Sequence, residues 1–265
     1  MARTFPMPSR KSLQDFYSSF SYESGFINES LIRSESVSIL KTLDKHKGKL
    51  LDIGSGAGFL LDEAKKRGWE VTGIEMSKKL ANYGAKNFKL NIINGDFLTI
   101  KLPEESFDAI VLSQVIEHLT DPERWLSRIK KLIKKDGVFA LTTPNIESHL
   151  FNVQRESFPY LIPPEHVFYY GPTSLRMLLN RCGFKKATFK TYGYPVDMAG
   201  IIKRIIKGKS AAPISRTARQ LVNQEQSLSK KIKYILFDTV LCGWTYKLLN
   251  IGNKGSIVEV YASIN

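Results

Sequence analysis

An α/β domain, a parallel sheet with helices wound over both faces, is predicted for residues 50 to 145 on three observations. Short apolar runs alternate with amphipathic runs of helical spacing. A glycine-rich turn joins the first such pair. At 265 residues, with 43% hydrophobic and 24% charged, the chain can also close a full core as one principal domain with one elaboration.

The elements follow in order. Asn28 to Leu43 has the spacing of a helix that packs on the sheet. Strands are expected at Lys49 to Ile53, Glu70 to Glu75, Lys89 to Asn94, Phe107 to Ser113 and Gly137 to Thr143. Helices are expected between them at Phe59 to Arg67, Lys78 to Lys86 and Pro122 to Lys134, the last opening with Asp121 and Pro122 as cap and first-turn residue. Asn145 to Gly171, rich in proline and aromatics, has no clean period and reads as a folded loop or lid. A helix from Pro172 to Cys182 stops at Gly183, which suits a left-handed cap, and strands follow at Phe184 to Tyr192 and Gly255 to Ile264.

Composition bounds the setting. The two cysteines, Cys182 and Cys242, lie far apart with no metal-ligand spacing, as suits a reducing compartment. MARTFPMPSRK holds no apolar run of signal-peptide type, so a cytoplasmic location is expected. Tyr234 to Gly252 is interrupted by Asp238 and Lys247, which argues for a buried or interfacial helix over a bilayer span of about 20 uncharged residues. The formal charge of +14 favours phosphate-bearing partners without choosing among them.

The most informative segment is LLDIGSGAGFL, Leu50 to Leu60: a buried strand, a turn and a helix start. Glycine there lets backbone N–H groups approach a ligand. The spacing Gly54, Gly56, Gly58 departs from the dinucleotide fingerprint, whose third glycine would fall where Phe59 stands. Asp52, at the strand's end, would repel a pyrophosphate and suits a cofactor with a positive amino group. Ser55 lies within the same turn. Glu75 ends the second strand, where an acid can accept hydrogen bonds from both ribose hydroxyls, and Met76 follows it. In NGDFL, Asp96 can accept from an adenine amino group while Phe97 packs on the ring. Together these residues describe one adenosine pocket, with Ser113 at the end of the fourth strand beside it.

DIGSGAG, GIEMS, NGDF and FDAIVLSQVIEHL, in this order and spacing over about residues 45 to 145, resemble the successive motifs of class I S-adenosylmethionine-dependent methyltransferases. The resemblance implies a Rossmann-like seven-stranded sheet with an antiparallel last strand, the place Gly255 to Ile264 would fill, and S-adenosylmethionine as cofactor. Methyl transfer needs an aligned acceptor and, for a hydroxyl, a base. Glu117 and His118 in SQVIEHL stand at the ligand-binding end of the fourth strand; the bland alternative is that His118 caps or packs at a helix start.

QVIEHL also looks like the E-x-x-E-H motif of the metal-dependent O-methyltransferases of ubiquinone biosynthesis and of small-RNA 3′ ends, with His166 in PPEHVFYY matching a later histidine of the RNA group. Gln114 replaces the first glutamate, and a neutral amide is a poor ligand for a hard cation. A metal-free cluster of Glu117, His118 and His166 is therefore expected. EHL, TTPN and PEHVFYYGPTSLRMLLNRCGF resemble the small-molecule branch that includes ubiquinone and glycan-tailoring enzymes. About two of Phe151, Phe158, Tyr160, Phe168, Tyr169 and Tyr170 would then face an acceptor. Tyr17 and Tyr22 belong to a segment that in such enzymes folds over the cofactor. LSQV in place of an N-P-P-Y-like tetrad argues against amino methylation of bases, which leaves oxygen as the leading acceptor atom and carbon as an alternative.

Ile201 to Lys233 carries nine Lys or Arg against one acid, Glu225. Its GIIKRIIKGK start alternates isoleucines with cations, as suits an anionic membrane face; a solvated helical hairpin is the plain alternative. Single-strand nucleic-acid binders interleave exposed aromatics, and this stretch has none. The expected organisation is thus an N-terminal helical segment over the cofactor (1–45), a catalytic domain (46–195 with 254–265) and a basic helical insertion (196–253). The leading function is O-methylation of a small-molecule, glycan or lipid-linked acceptor, in the cytoplasm or at the inner membrane face. An RNA 2′-O-methyltransferase and a noncatalytic binding module are the alternatives.

Overall fold

The computed structural model describes residues 1–9, 11–13, 15, 29–194, 197, 252 and 254–265. Tyr17, Tyr22, Cys242, the basic stretch 200–233 and nearly all of the apolar run after it lie outside these residues.

Strand β1 is Ala2–Arg3, followed by α1 (Glu29–Leu43), β2 (Lys49–Ile53), α2 (Phe59–Lys66), β3 (Glu70–Glu75), α3 (Lys78–Phe88), β4 (Ile92–Asn94) and β5 (Phe107–Ser113). Then come α4 (Pro122–Leu132), β6 (Ile133–Pro144), α5 (His149–Gln154), β7 (Phe168–Tyr169), α6 (Pro172–Arg181), β8 (Lys186–Tyr192) and β9 (Ile257–Ser263). Seven strands form one sheet in the order β4-β3-β2-β5-β6-β9-β8. The first five are mutually parallel, and β9 runs antiparallel between β6 and β8. The expected doubly wound sheet with an antiparallel last strand is therefore present.

Alternation along the strands builds two cores. Leu51, Ile53, Ile110 and Leu112 face α4 and α6, where Leu126, Ile129, Leu175 and Leu179 meet them. Leu50, Ala109, Val111 and Ala140 face α1 and α2 through Ile39, Leu40, Leu43 and Leu61. A strand buried on both faces reads as a continuous apolar run, as in LLDI and AIVL. Helix α1 is pinned to α2 by Arg33, whose guanidinium reaches Asp62 at 2.7 Å and Glu63 at 2.6 Å and lies 4.9 Å above the Phe59 ring.

Several boundaries differ from expectation for local reasons. Strand β4 starts at Ile92, because Lys89 takes a left-handed conformation (φ 52°) as the C-cap of α3 and the chain must still turn into the sheet. Helix α4 stops at Leu132: Ile133 already pairs with Phe107, and a register shift between Phe107 and Ala109 absorbs the turn around Gly137. The segment read as a loop from Asn145 contains α5 and the short β7. The N-terminus is not wholly helical either, since Ala2–Arg3 pairs antiparallel with Phe168–Tyr169. Among the described residues no helix is long and apolar enough to cross a membrane.

Candidate active site

Strand order reverses between β2 and β5, and the crevice beyond their carboxyl ends is where an open α/β sheet binds ligands. The glycine turn leaves β2 there. Gly54 has φ 77°, and a Cβ on it would meet Val115 Cγ2 at 2.6 Å, so both its conformation and its close approach require glycine. Gly56 has φ 55°; its N–H donates to Glu75 Oε2 at 2.8 Å, and Ser77 N–H donates to Glu75 Oε1 at 2.7 Å. The Glu75 carboxylate thus fixes the turn as well as facing the crevice. Burial pushes its pKa up, against the lowering effect of those main-chain donors. Gly58 caps the start of α2.

Two cavities share Gly54, Leu80 and Gln114 as a common wall. The larger, about 260 Å³, is lined by Glu75, Met76, Asp96, Phe97, Trp125 and His118, with Leu13 from the N-terminal segment. Asp96 Oδ1 accepts from Leu98 N–H at 2.9 Å, a turn that holds the carboxylate at the rim. Phe97 is buried, 5.0 Å from Trp125 between ring centroids, with the Arg128 guanidinium over its ring. The smaller cavity, about 250 Å³, is lined by Asp52, Ser55, Gly56 and Ser113 from the sheet side and by Ile32, Glu35, Ser36 and Ile39 from α1. Asp52 is fully enclosed; burial, and secondarily the charge of Glu75, push its pKa up to about 7. Of the cofactor residues expected from sequence, Asp52, Gly54, Ser55, Gly56, Glu75, Met76, Asp96, Phe97 and Ser113 line one divided crevice; Gly58 lines neither cavity, and Tyr17 lies outside the described residues.

The residues expected at the acceptor end are arranged in depth. His118 borders the larger cavity, and its Nδ1 lies 2.9 Å from the Glu165 carbonyl oxygen. A carbonyl only accepts, so Nδ1 carries the proton and Nε2 the lone pair. Burial lowers the pKa of His118 and so favours the neutral ring, against the raising effect of the Glu165 carbonyl. His166 is buried and oriented in the same way, Nδ1 2.8 Å from the Tyr160 carbonyl. The two rings meet at 4.6 Å. Glu117 lies behind them, 1% exposed and away from both cavities; its Oε2 accepts from Thr143 at 3.0 Å, and its Oε1 has no partner among the described residues. Burial raises its pKa to about 8. Two hydrogen bonds to main-chain carbonyls close the cluster: Val167 N–H donates to Glu117 O at 2.7 Å, and the Thr4 hydroxyl donates to His166 O at 2.6 Å.

Two groups of residues lie away from these two cavities. None of Phe151, Phe158, Tyr160, Phe168, Tyr169 and Tyr170 lines either cavity. Phe168 and Tyr170 enter the main core, while Phe151, Phe158 and Tyr160 pack with Leu150 and Ile257, because the 145–171 segment needs an apolar underside of its own. Glu117 stands one step behind the cavity wall rather than on it. Sequence reasoning also missed residues. Asn94 donates through Nδ2 to the carbonyls of Glu75 and Met76, both at 2.9 Å, and so fixes the loop that carries the acid. Thr142 ties Ser113 (2.7 Å) to the Gln114 amide (3.3 Å). Gln114 itself is left-handed, φ 54°, a costly conformation for a non-glycine residue and one frequent at functional sites.

Glu117, His118 and His166 each offer a ligand atom within 4.8 Å of the others. The set is nitrogen-rich and holds one carboxylate that burial keeps protonated near neutrality, while the Gln114 amide is turned to Thr142. It does not fit the oxygen shell that Mg²⁺ or Ca²⁺ requires.

Comparison with known proteins agrees with this geometry. A family model described as a methyltransferase domain matches residues 29–188. The ubiquinone biosynthesis O-methyltransferase of Pelagibacter ubique is 35% identical over 115 residues, 40% of this chain and 46% of that protein. The Coxiella burnetii protein of the same name is 29% identical over 134 residues, 47% of this chain and 57% of its own length. The matched region thus spans about half the length of these curated relatives. A crystal structure of an S-adenosylmethionine-dependent methyltransferase from Archaeoglobus fulgidus superposes with a TM-score of 0.59 at 18% identity, covering 89% of this chain and 94% of that one. The glycine turn, the acids that end β2 and β3 and the seven-stranded sheet stand within the matched family domain or complete it, and the chain belongs to the class I S-adenosylmethionine-dependent methyltransferases.

Proposed function

We propose that the domain methylates an oxygen atom of a small-molecule acceptor, with His118 as the base. The observation that carries this is the neutral, Nδ1-anchored imidazole at the wall of the cavity that holds Glu75 and Asp96. The larger cavity takes the adenosine: Glu75 meets the ribose hydroxyls, Asp96 the adenine amino group, and Phe97 packs below the ring. The smaller cavity takes the amino-acid arm beside Asp52 and Ser113. Bound there, the cofactor supplies a methyl carbon activated by a sulfonium, so the one proton left to manage is that of the acceptor hydroxyl. His118 Nε2 receives it. His166 and Glu117 shape the far side of the imidazole and keep water away. No step is assigned to a metal, since the donor set does not fit a hard cation.

The names of the ubiquinone-pathway relatives support an apolar ring hydroxyl as acceptor, and the basic stretch adds a route to it. Strand β8 ends and β9 begins opposite Pro144, at the ligand-binding edge of the sheet, so the connection between them is tied to that edge at both ends. With net +8 between Ile201 and Lys233, that connection would hold the domain on anionic lipid and draw lipid-linked acceptors to the site.

The test is calorimetric titration with S-adenosylmethionine and S-adenosylhomocysteine beside NADH, then transfer of a labelled methyl group to catechols, sugar hydroxyls and polyprenyl-linked phenols. Selective binding and label in a phenolic ether support the reading. Label on nitrogen, or on none of these, would overturn it.

A further inference from the structure

Trp125 and Arg128 stand one turn apart on α4, beside the end of the larger cavity that Asp96, Phe97 and Trp125 line. The chain that carries Asp96 is a tight turn. The N–H groups of Thr99 and Ile100 and the Thr99 hydroxyl converge on the Asp96 carbonyl at 3.0 to 3.2 Å, while Leu98 N–H donates to the Asp96 carboxylate. The carbonyls of the same turn are held by one side chain from α4. The Arg128 guanidinium donates through Nη1 to Leu98 O at 2.6 Å and through Nη2 to Ile100 O, and its central carbon lies 5.0 Å from the centroid of the Phe97 ring. Trp125 meets that ring at 5.0 Å as well. A planar fork can bridge two carbonyls and face an aromatic ring at once, whereas an ammonium is a point charge on a flexible stem and fixes neither direction. Arg128 therefore couples the helix to the turn at two carbonyls and one ring, and any movement of the turn would carry Asp96 and Phe97 with it.

We infer that Arg128 is a positioning residue for recognition of the adenine base: by gripping the Leu98 and Ile100 carbonyls and the Phe97 ring, it sets where the Asp96 carboxylate meets the adenine amino group. The inference rests on the placement of the adenine at Asp96 and Phe97 proposed above. Arg128 lines neither cavity, so it acts on the base through the turn and not by contact. A purely structural role, fastening α4 to the 96–100 segment, would affect every ligand alike.

The experiment is calorimetry on the full chain with S-adenosylhomocysteine and with S-inosylhomocysteine, in which an oxygen replaces the adenine amino group. The wild type should prefer the adenine compound by about tenfold or more, the scale of one hydrogen bond to a charged group. Arg128→Met keeps the length of the side chain and removes the fork; we expect it to weaken S-adenosylhomocysteine about tenfold, to leave S-inosylhomocysteine within about twofold, and so to bring the preference close to parity. Arg128→Lys should fall between the two and serves if Arg128→Met does not fold. A wild-type preference that both variants retain, whether or not their affinities fall, would overturn the positioning role while leaving the adenine at Asp96. A wild-type chain that binds both compounds alike would overturn that placement and the inference together. Failure of the wild type to bind S-adenosylhomocysteine at all would remove the placement of the whole cofactor.

Discussion

The imidazoles of His118 and His166 meet edge to face, 4.6 Å between ring centroids and 77° between planes, and each turns its Nδ1 to a main-chain carbonyl. Both rings are thereby locked in one tautomer, and only His118 reaches the cavity. His118→Ala should keep S-adenosylhomocysteine affinity within about threefold and lower turnover by roughly 10²–10⁴, the usual worth of a general base. His166→Ala should lower turnover less. Calorimetry beside single-turnover methyl transfer checks this; loss of cofactor affinity in His118→Ala would instead make that residue structural.

Asp52 makes cofactor binding depend on pH. Its folded-state pKa of about 7 lies above its ordinary value of 3.8, so the unliganded fold loses stability as pH rises between these values and is steady above about 7. The loss is about 4 kcal/mol. Cofactor affinity should move the other way, rising from pH 6 to 8 as the carboxylate ionises, with proton release on binding at pH 6. Asp52→Asn should flatten that profile, weaken binding, and raise the melting temperature of the unliganded protein at pH 8 more than at pH 4.

Glu117, with a pKa of about 8, is protonated at neutrality. Glu117→Gln should therefore preserve turnover at pH 7 within a few-fold. Its folded pKa is raised, so wild-type stability relative to this variant should decline as pH rises from about 4.5 and level off above about 8. Thermal melts from pH 4 to 9 read this directly. A large activity loss at pH 7 would show that the ionised form is needed.

Two glycines of one turn should respond differently. Alanine at Gly56 meets no atom within 4 Å, so only its left-handed backbone is penalised, by about 1–2 kcal/mol. Alanine at Gly54 has the same penalty and also collides with Val115 Cγ2, adding about 1–3 kcal/mol of overpacking. Denaturant melts and titration should rank Gly54→Ala well below Gly56→Ala.

Chelation tests the donor chemistry. Turnover of the wild type should be unchanged after EDTA treatment. Gln114→Glu, which adds a second carboxylate beside the cluster, should increase Mg²⁺ affinity measured by calorimetry.

The sheet was legible because its strands are buried on both faces: LLDI and AIVL announce themselves without their partners. The cofactor acids were legible for a related reason, since each stands where a strand ends. What escaped depends on long-range pairing. Ile133 looks helical in its own window and becomes a strand residue only because Phe107 lies opposite. The aromatics of FPYLIPPEHVFYY signal burial, but sequence does not say which neighbour covers them. Glu35 lies on an ordinary amphipathic helix, and its role as acceptor for the Tyr192 and Tyr194 hydroxyls appears only when those residues arrive from the far edge of the sheet.

The placement of β9 between β6 and β8 also bears on how such domains diversify. Because β8 runs parallel to β6 and β9 runs against both, chain added between β8 and β9 starts and finishes at the crevice without rethreading the core. Beside these strand ends, Asp197 accepts hydrogen bonds from Tyr194 N–H and the Ser256 hydroxyl, while Asn145 Nδ2 donates to Gly255 O at 2.8 Å. Selection can lengthen, shorten or recharge that segment to suit a new acceptor while the cofactor machinery, on the other strands, is inherited unchanged.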